Sequence, residues 1–389
     1  MNIAILHALF SELGGNEVFA INLGKALNEI GFDVDFYTFE LNSSVCRILD
    51  GVPGNLRVRV LNKPAYVKVL EILGSGRFIR LRRLLLYRYL TEILNEVLNN
   101  YDLVIDTQSN IPYNADISYI HFPAIVDYTL WGSRGFKRIS RLAYSYLISK
   151  LCKSGGPKLI LTNSSWTAKW VLKAYGNIAS ISVLHPPVDV KYFSEVSNKY
   201  PREKIIITIS RFTPEKNLDL IVDLAKKIPN YEFIIAGSTS KYSGSVIRDI
   251  LIRAKKLGIK NLKIYTNLPK DKLRELLSEA RYYLHPPFPE HFGISVVEAM
   301  SAGCIPIVYR DGGVWYDVVS KVADTLGYNT IDEIVRIVEF LDNNEDTHMR
   351  LRERSIKVSK FFSYDNFKHK LLQHVNNALI LKAGNSFKS

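Results

Sequence analysis

The feature that most constrains this chain is a short rhythm, repeated in both halves: an apolar run, a loop carrying glycine or proline, then apolar residues at helical spacing. Ile3–His7 is the first apolar run and Gly14-Gly15 its loop, and Val18, Ile21, Ala26, Leu27 and Ile30 recur with helical periodicity. Gly31 closes that helix and Val34–Phe39 forms the next strand. This order predicts a parallel, doubly wound α/β sheet. It returns at Leu103–Asp106, Ser118–His121 and Leu159–Thr162, and a helix over Ser165–Tyr175 ends at Gly176.

Near residue 185 the texture changes. His185-Pro186-Pro187-Val188-Asp189 is a proline turn, and the stretch 198–203 is polar. A second series follows: strands at Ile205–Ile209, Glu232–Ala236, Leu262–Tyr265, Tyr282–His285 and Ile305–Tyr309, with helices over Leu218–Lys227, Val246–Leu257, Lys270–Ala280 and Ile294–Ser301. The expectation is two Rossmann-like domains, residues 1–190 and 200–360, facing each other across a ligand cleft. A last helix, about 363–382, is expected to pack back onto the first. A length of 389 residues suits two such domains, and 47% hydrophobic with 23% charged residues excludes a disordered chain. No apolar run reaches the roughly 18–20 residues of a membrane span. The start lacks the basic region and long apolar core of a secretory signal. Cys46, Cys152 and Cys304 are too few and too scattered for a disulfide framework or a cysteine-rich zinc site, so a reducing compartment is expected.

Pro289-Glu290-His291-Phe292-Gly293-Ile294-Ser295, running on to Glu298, follows a strand and opens a helix. Backbone amides near Phe292–Ser295 should therefore form an anion site at a helix N-terminus, with Gly293 allowing close approach. Glu290 and Glu298 flank it, and a carboxylate can accept from two neighbouring sugar hydroxyls. An isolated pair of this spacing is equally compatible with a surface glutamate at an ordinary turn. In Ser210-Arg211-Phe212-Thr213-Pro214-Glu215-Lys216-Asn217, Arg211 can fork onto a phosphate and Lys216 adds a point charge, together enough for a diphosphate. The plain alternative pairs Arg211 with Glu215. Gly14-Gly15-Asn16 is a loop or a simple turn. His121, in Tyr119-Ile120-His121-Phe122-Pro123, ends a strand where doubly wound sheets present ligand groups, though taken alone it reads more readily as a satisfied core histidine. Asn163-Ser164-Ser165-Trp166-Thr167 also follows a strand end, and Ser164 or Ser165 suits a helix N-cap.

Taken together and in order, these motifs resemble the retaining glycosyltransferases of family four, which have the GT-B fold. They are most similar to the α-1,2-mannosyltransferases that extend lipid-linked oligosaccharides with GDP-mannose. The resemblance implies that Glu290, Arg211, Lys216 and His121 carry catalysis. Gly14, Gly15, Phe292, Gly293, Ile294, Ser295 and Glu298 would join them in holding the donor, with Glu298 on the ribose and His121 against the transferred sugar. Asn16, Asn163 and Ser164 would face the acceptor. Family members commonly carry a smaller residue where Asn16 stands. No metal cluster or cofactor motif is visible, so none is expected.

The chain carries 51 Lys and Arg against 38 Asp and Glu, a surplus of +13. Nine cations against Glu71 alone fall within residues 57–91. Arg77, Arg80, Arg83 and Arg88 project from one face of a helix whose other face is apolar save for Arg82, as suits an anionic membrane surface near 77–93. A core helix with a solvated face is the alternative. No nucleic-acid motif accompanies the charge. The partners expected are therefore a nucleotide sugar (GDP-mannose), a lipid-linked acceptor and the cytoplasmic face of a membrane. Open alternatives are a transferase or sugar-nucleotide epimerase with a soluble substrate, and a non-catalytic binder of polyanions or membranes.

Overall fold

The computed structural model describes residues 1–10, 14–51, 54–72, 99–112, 115–127, 156–199, 201–239, 243–286 and 289–386, with scattered positions between 85 and 97. The greater part of the basic stretch 77–93 lies outside the described residues. The chain divides into two compact units: Met1–His185 with Phe367–Ser389, and Pro186–Asn366.

The strands of the first unit are β1 (Asn2–Leu6), β2 (Leu9–Phe10), β3 (Asp33–Thr38), β4 (Glu40–Leu41), β5 (Leu56–Val60), β6 (Leu103–Asp106), β7 (Ile117–Ile120), β8 (Leu159–Thr162) and β9 (Ser180–Val183). Seven of them form a parallel sheet in the order β5-β3-β1-β6-β7-β8-β9, and β2 pairs with β4 apart from it. Every residue of β6, β7 and β8 is buried, as expected of parallel strands covered on both faces. The first helix, Gly15–Ile30, starts three residues earlier than its apolar spacing implies. Glu17 reaches back to the Gly14 amide at 3.0 Å and satisfies a donor that the helix leaves orphaned.

The edge strand β5 alternates apolar residues with arginine and was not visible as a strand in the sequence. Its arginines serve the fold: Arg57 Nε lies 2.7 Å and Arg59 Nη2 2.9 Å from the carboxylate of Asp35 on β3, which is 2% exposed. Tyr101 donates to the same carboxylate at 2.5 Å. Burial pushes the Asp35 carboxyl up, but Tyr101, Arg57 and Arg59 outweigh it and hold the group below its ordinary value.

The second unit contains β10 (Glu203–Ile209), β11 (Glu232–Gly237), β12 (Leu262–Thr266), β13 (Ala280–Leu284), β14 (Ile305–Tyr309) and β15 (Gly327–Tyr328). They form one parallel sheet in the order β12-β11-β10-β13-β14-β15. Its core is a continuous apolar cluster that includes Ile206, Ile207, Phe233, Tyr283, Val297 and Met300. No helix among the described residues is long and apolar enough to cross a membrane.

The last helix, Tyr364–Ser386, belongs mostly to the first unit. Phe367, Leu371, Val375 and Ala378 are buried at helical spacing along one face. The Phe367 ring lies 5.9 Å from that of Phe19, and Lys368 and Lys382 pair with Glu29 at 3.1 Å and Asp116 at 3.0 Å. Because Leu371 has no exposed surface, Leu371→Ala should lower the unfolding free energy by about 2–5 kcal/mol. Urea denaturation measures this, and a midpoint equal to that of the wild type would show that the helix is not docked.

Candidate active site

In a doubly wound sheet, ligands gather at the carboxyl ends of the strands where the strand order reverses. In the second unit that point lies between β10 and β13, and the residues singled out in the sequence follow those two strands. A single 3-10 turn, Pro214–Lys216, ends at Asn217 in the left-handed conformation (φ 48°). It presents Lys216, whose Nζ donates to Glu290 Oε2 at 2.8 Å. Both side chains are largely buried, at 15% and 24% exposure.

Three further contacts fix Glu290. His285, just past β13, brings Nε2 to 3.5 Å from the same oxygen, while its Nδ1 donates to the Pro286 carbonyl at 3.0 Å. The His291 amide donates to Glu290 Oε1 at 3.2 Å. The Glu290 backbone pairs with Gly312 in a parallel bridge, and its carbonyl accepts from the Val314 amide at 3.3 Å. Gly312 has φ +94°, and a side chain there would sit 2.5 Å from the Glu290 carbonyl oxygen. Glycine is thus needed both for the turn and for the close approach. Burial pushes the Glu290 carboxyl up, but Lys216 above all, then His285 and His291, hold it well below the usual carboxylate range.

Gly293 (φ +85°) precedes helix Ile294–Ser301, and a side chain there would press on Val314 at 2.7 Å. The fold itself therefore calls for this glycine. The first hydrogen bond of the helix runs from the Val296 amide to Gly293, so the Ile294 and Ser295 amides precede the ladder and suit an anion. The Ser295 hydroxyl bonds Tyr283 at 2.8 Å, and Tyr283 donates to the Ile209 carbonyl at 3.1 Å. Phe292 is buried, its ring 5.3 Å from that of Phe362. Glu298 is half-buried in the same helix, and burial pushes its carboxyl up to about 7. Lys270 pulls it down and Asp189 pushes it up by smaller amounts. Arg211 is exposed, and no carboxylate pairs with it among the described residues, Glu215 included.

In the first unit the order reverses between β1 and β6. His7 follows β1 and is fully buried, and Thr107 follows β6. Thr107 Oγ1 donates to the Leu6 carbonyl at 3.1 Å and so accepts from His7 Nδ1 at 3.0 Å. The Thr107 carbonyl accepts from His121 Nε2 at 3.1 Å, so one residue anchors two imidazoles. Glu17 Oε1 lies 3.9 Å from His7 Nε2. Burial pushes the Glu17 carboxyl up, yet His7 and the Gly14 amide bring it below its ordinary value. The side chain of Asn163 donates to the His121 carbonyl at 2.9 Å, and Ser164 caps helix Ser165–Tyr175 by accepting from the Thr167 amide at 3.1 Å. Asn163 and Ser164 therefore hold the His121 loop and the helix start. Gly15 has open space around it, whereas Gly14 abuts the Glu17 carboxylate. His7, Thr107 and His285 were not picked out from the sequence. Their one signal was placement at or just beyond a strand's carboxyl end.

Residues 189–358 match the family described as "Glycosyl transferases group 1". The chain carries a group 1 glycosyltransferase domain. That domain includes Arg211, Lys216, His285, Glu290 and Glu298, whereas Gly14, Gly15 and His121 lie outside it. The chain is similar to "GDP-Man:Man(3)GlcNAc(2)-PP-Dol alpha-1,2-mannosyltransferase" of Dictyostelium discoideum, at 27% identity over 62% of this chain and 52% of the relative. It is similar to the Homo sapiens protein of the same name at 25% identity over 66% of this chain and 60% of that one. The alignments thus span little more than half the length of these relatives. Among solved structures, Anabaena Alr3699/HepE in complex with UDP and glucose superposes with a TM-score of 0.70, at 15% identity, over 97% of this chain and 100% of the other. WaaG, "a glycosyltransferase involved in lipopolysaccharide biosynthesis", superposes with a TM-score of 0.69, at 14% identity, over 95% and 98%. The chain therefore has the GT-B fold.

Within the domain, the charge of Glu290 depends first on Lys216. Lys216→Met should leave burial less opposed and raise the pKa of Glu290, as read by ¹³C-carboxyl NMR titration. An unchanged titration would show that the pair does not form.

Proposed function

We propose that the chain is a retaining glycosyltransferase that moves mannose from GDP-mannose to a lipid-linked saccharide. It would work as a peripheral protein on the cytoplasmic face of a membrane, with the basic stretch 77–93 at the lipid surface. The observation that carries the catalytic reading is the 2.8 Å Lys216–Glu290 pair at the strand-order reversal, beside the open amides of a helix N-terminus. The activity for which the relatives are named motivates the choice of donor, sugar and acceptor.

In this reading Arg211, Lys216 and the Ile294–Ser295 amides stabilise negative charge as it develops on the departing diphosphate. The bond from the anomeric carbon to the diphosphate oxygen breaks while an acceptor hydroxyl attacks the same face. The hydroxyl proton passes to the leaving oxygen, so the configuration is kept. Glu290 stays ionised throughout the neutral range and accepts from hydroxyls of the donor sugar, with Lys216 fixing its orientation. His121, its ring set by the bond to the Thr107 carbonyl, is assigned to the donor sugar. Gly14 and Gly15 are assigned to the donor phosphates and Asn16 to the acceptor.

Glu290→Gln keeps the shape but removes the charge. It should lower kcat by about 10²–10³-fold while the chain still folds to the wild-type circular-dichroism spectrum, with some loss of melting temperature because the ion pair to Lys216 is gone. The assay is transfer of labelled mannose from GDP-mannose to a polyprenyl-diphosphate oligosaccharide. A wild-type rate in this variant would sink the assignment, and transfer to soluble sugar alone would remove the lipid acceptor.

Glu298 adds a pH dependence of known sign. Only its carboxylate accepts from both ribose hydroxyls, and burial places its titration near 7. The donor KM should therefore rise as pH falls through about 7. Glu298→Gln should have a high KM that no longer changes over this range. A wild-type KM that is flat from pH 6 to 8 would remove Glu298 from the ribose.

A further inference from the structure

A cavity of about 340 Å³ lies between β15 and helix Ile331–Asp342, bordered by Arg310, Leu326, Gly327, Arg336, Ile337 and Phe340. Its size falls at the small end of the roughly 300–1,000 Å³ usual for small-molecule sites. The walls are mainly apolar. Leu326 is fully buried, while Phe340, though 53% exposed, leaves a large aromatic surface in water.

The charges at its border are unbalanced. Its one carboxylate, Glu333, accepts from the Asn329 amide at 2.8 Å at the start of that helix. Arg310 donates to the Gly327 and Asp324 carbonyls at 2.8 and 3.2 Å and stands 5.5 Å from the Trp315 ring. Arg336 has no hydrogen-bonded partner among the described residues. Asp332, one turn before it, is bonded to Lys227 at 2.9 Å and feels the Arg336 charge more weakly. An apolar pocket edged by two guanidinium groups, with its carboxylate engaged elsewhere, favours a ligand that is itself apolar at one end and anionic at the other.

We propose that this cavity binds a small amphiphilic anion. A short apolar chain lies against Phe340, Ile337 and Leu326, and a terminal phosphate or carboxylate sits between Arg310 and Arg336. Arg310 stands two residues before Gly312, whose backbone pairs with Glu290. A head group that draws Arg310 from its carbonyls therefore acts on the segment that positions Glu290. The binding itself does not depend on the transfer reaction.

Isothermal titration of the full chain with octyl phosphate, octanoate and octanol, all below micelle-forming concentration, tests this. At least one of the two anions should bind at least tenfold tighter than octanol, and the tighter of them names the head group. Arg336→Glu and Phe340→Ser, both at exposed positions, should each weaken that anion at least fivefold without lowering the melting temperature. Arg211→Ala should leave it unchanged. No binding, octanol as tight as both anions, affinity insensitive to Arg336→Glu and Phe340→Ser, or affinity lost in Arg211→Ala would each overturn the proposal.

Discussion

A carboxylate kept charged in a largely buried loop is the constraint on which the second unit's site depends. Removing Glu290 from water favours its protonated form, so nearby groups must pay for the charge. The cation comes from the loop after β10 and the imidazole from the end of β13. Those strands are neighbours because the strand order reverses between them. The third support, Gly312, follows β14, the next strand out. Each contribution is local, but only this sheet order brings them to one side chain. The left-handed Asn217 closing the Lys216 turn and the positive φ of Gly312 are the backbone conformations that make the convergence possible.

Glu298 shows that residue type alone does not set the chemistry. It is the same residue type as Glu290 and stands eight residues away, but the cation that lowers its pKa is Lys270, which Asp189 opposes. Burial therefore wins at Glu298 and loses at Glu290. Two carboxyl groups whose environments push them apart can take different tasks at one pH. Here that is one permanent acceptor and one whose accepting power varies near neutrality.

Much of this was legible in the sequence where a signal was local. β6, β8, β14, helix Ser165–Tyr175 and helix Ile294–Ser301 occupy the residues that their apolar runs and caps indicate. β5 and β9, at the two edges of the first sheet, were not legible, although the edge strand β12 of the second sheet was. β5 interleaves arginine with apolar residues, and β9 carries two serines among its four residues, because a strand with a single neighbour need not be apolar on both faces. Helix Glu345–Ser359 is rich in charge, which hides its buried side. The Lys216–Glu290 pair joins residues 74 positions apart, and no local spacing encodes that. The sequence offered Glu215 as a partner for Arg211, and the fold leaves the two unpaired. His285 looked like the last residue of a strand, and its proximity to Glu290 follows only once the next loop is folded back.

The surplus of cations is also altered by the fold. Arg57 and Arg59, two of the nine cations in the basic stretch, are bonded to buried Asp35, and Lys63 is bonded to Glu40. In the second unit Arg202 donates to the carbonyls of Leu277, Ala280, Ser197 and Ala302. Burial lowers its pKa, and among the described residues it meets backbone dipoles in place of a carboxylate. A cation used this way counts fully in the composition yet presents little charge to a partner. Arg202 cements the segment after residue 196 to the end of helix Ile294–Ser301, and Arg352 reaches the same Ser197 carbonyl at 2.6 Å. Net charge is therefore a poor measure of anion recognition in this chain. The anion recognition proposed for this chain rests instead on particular guanidinium groups, Arg211 and Arg336, and on the backbone amides of a helix start, which carry no formal charge.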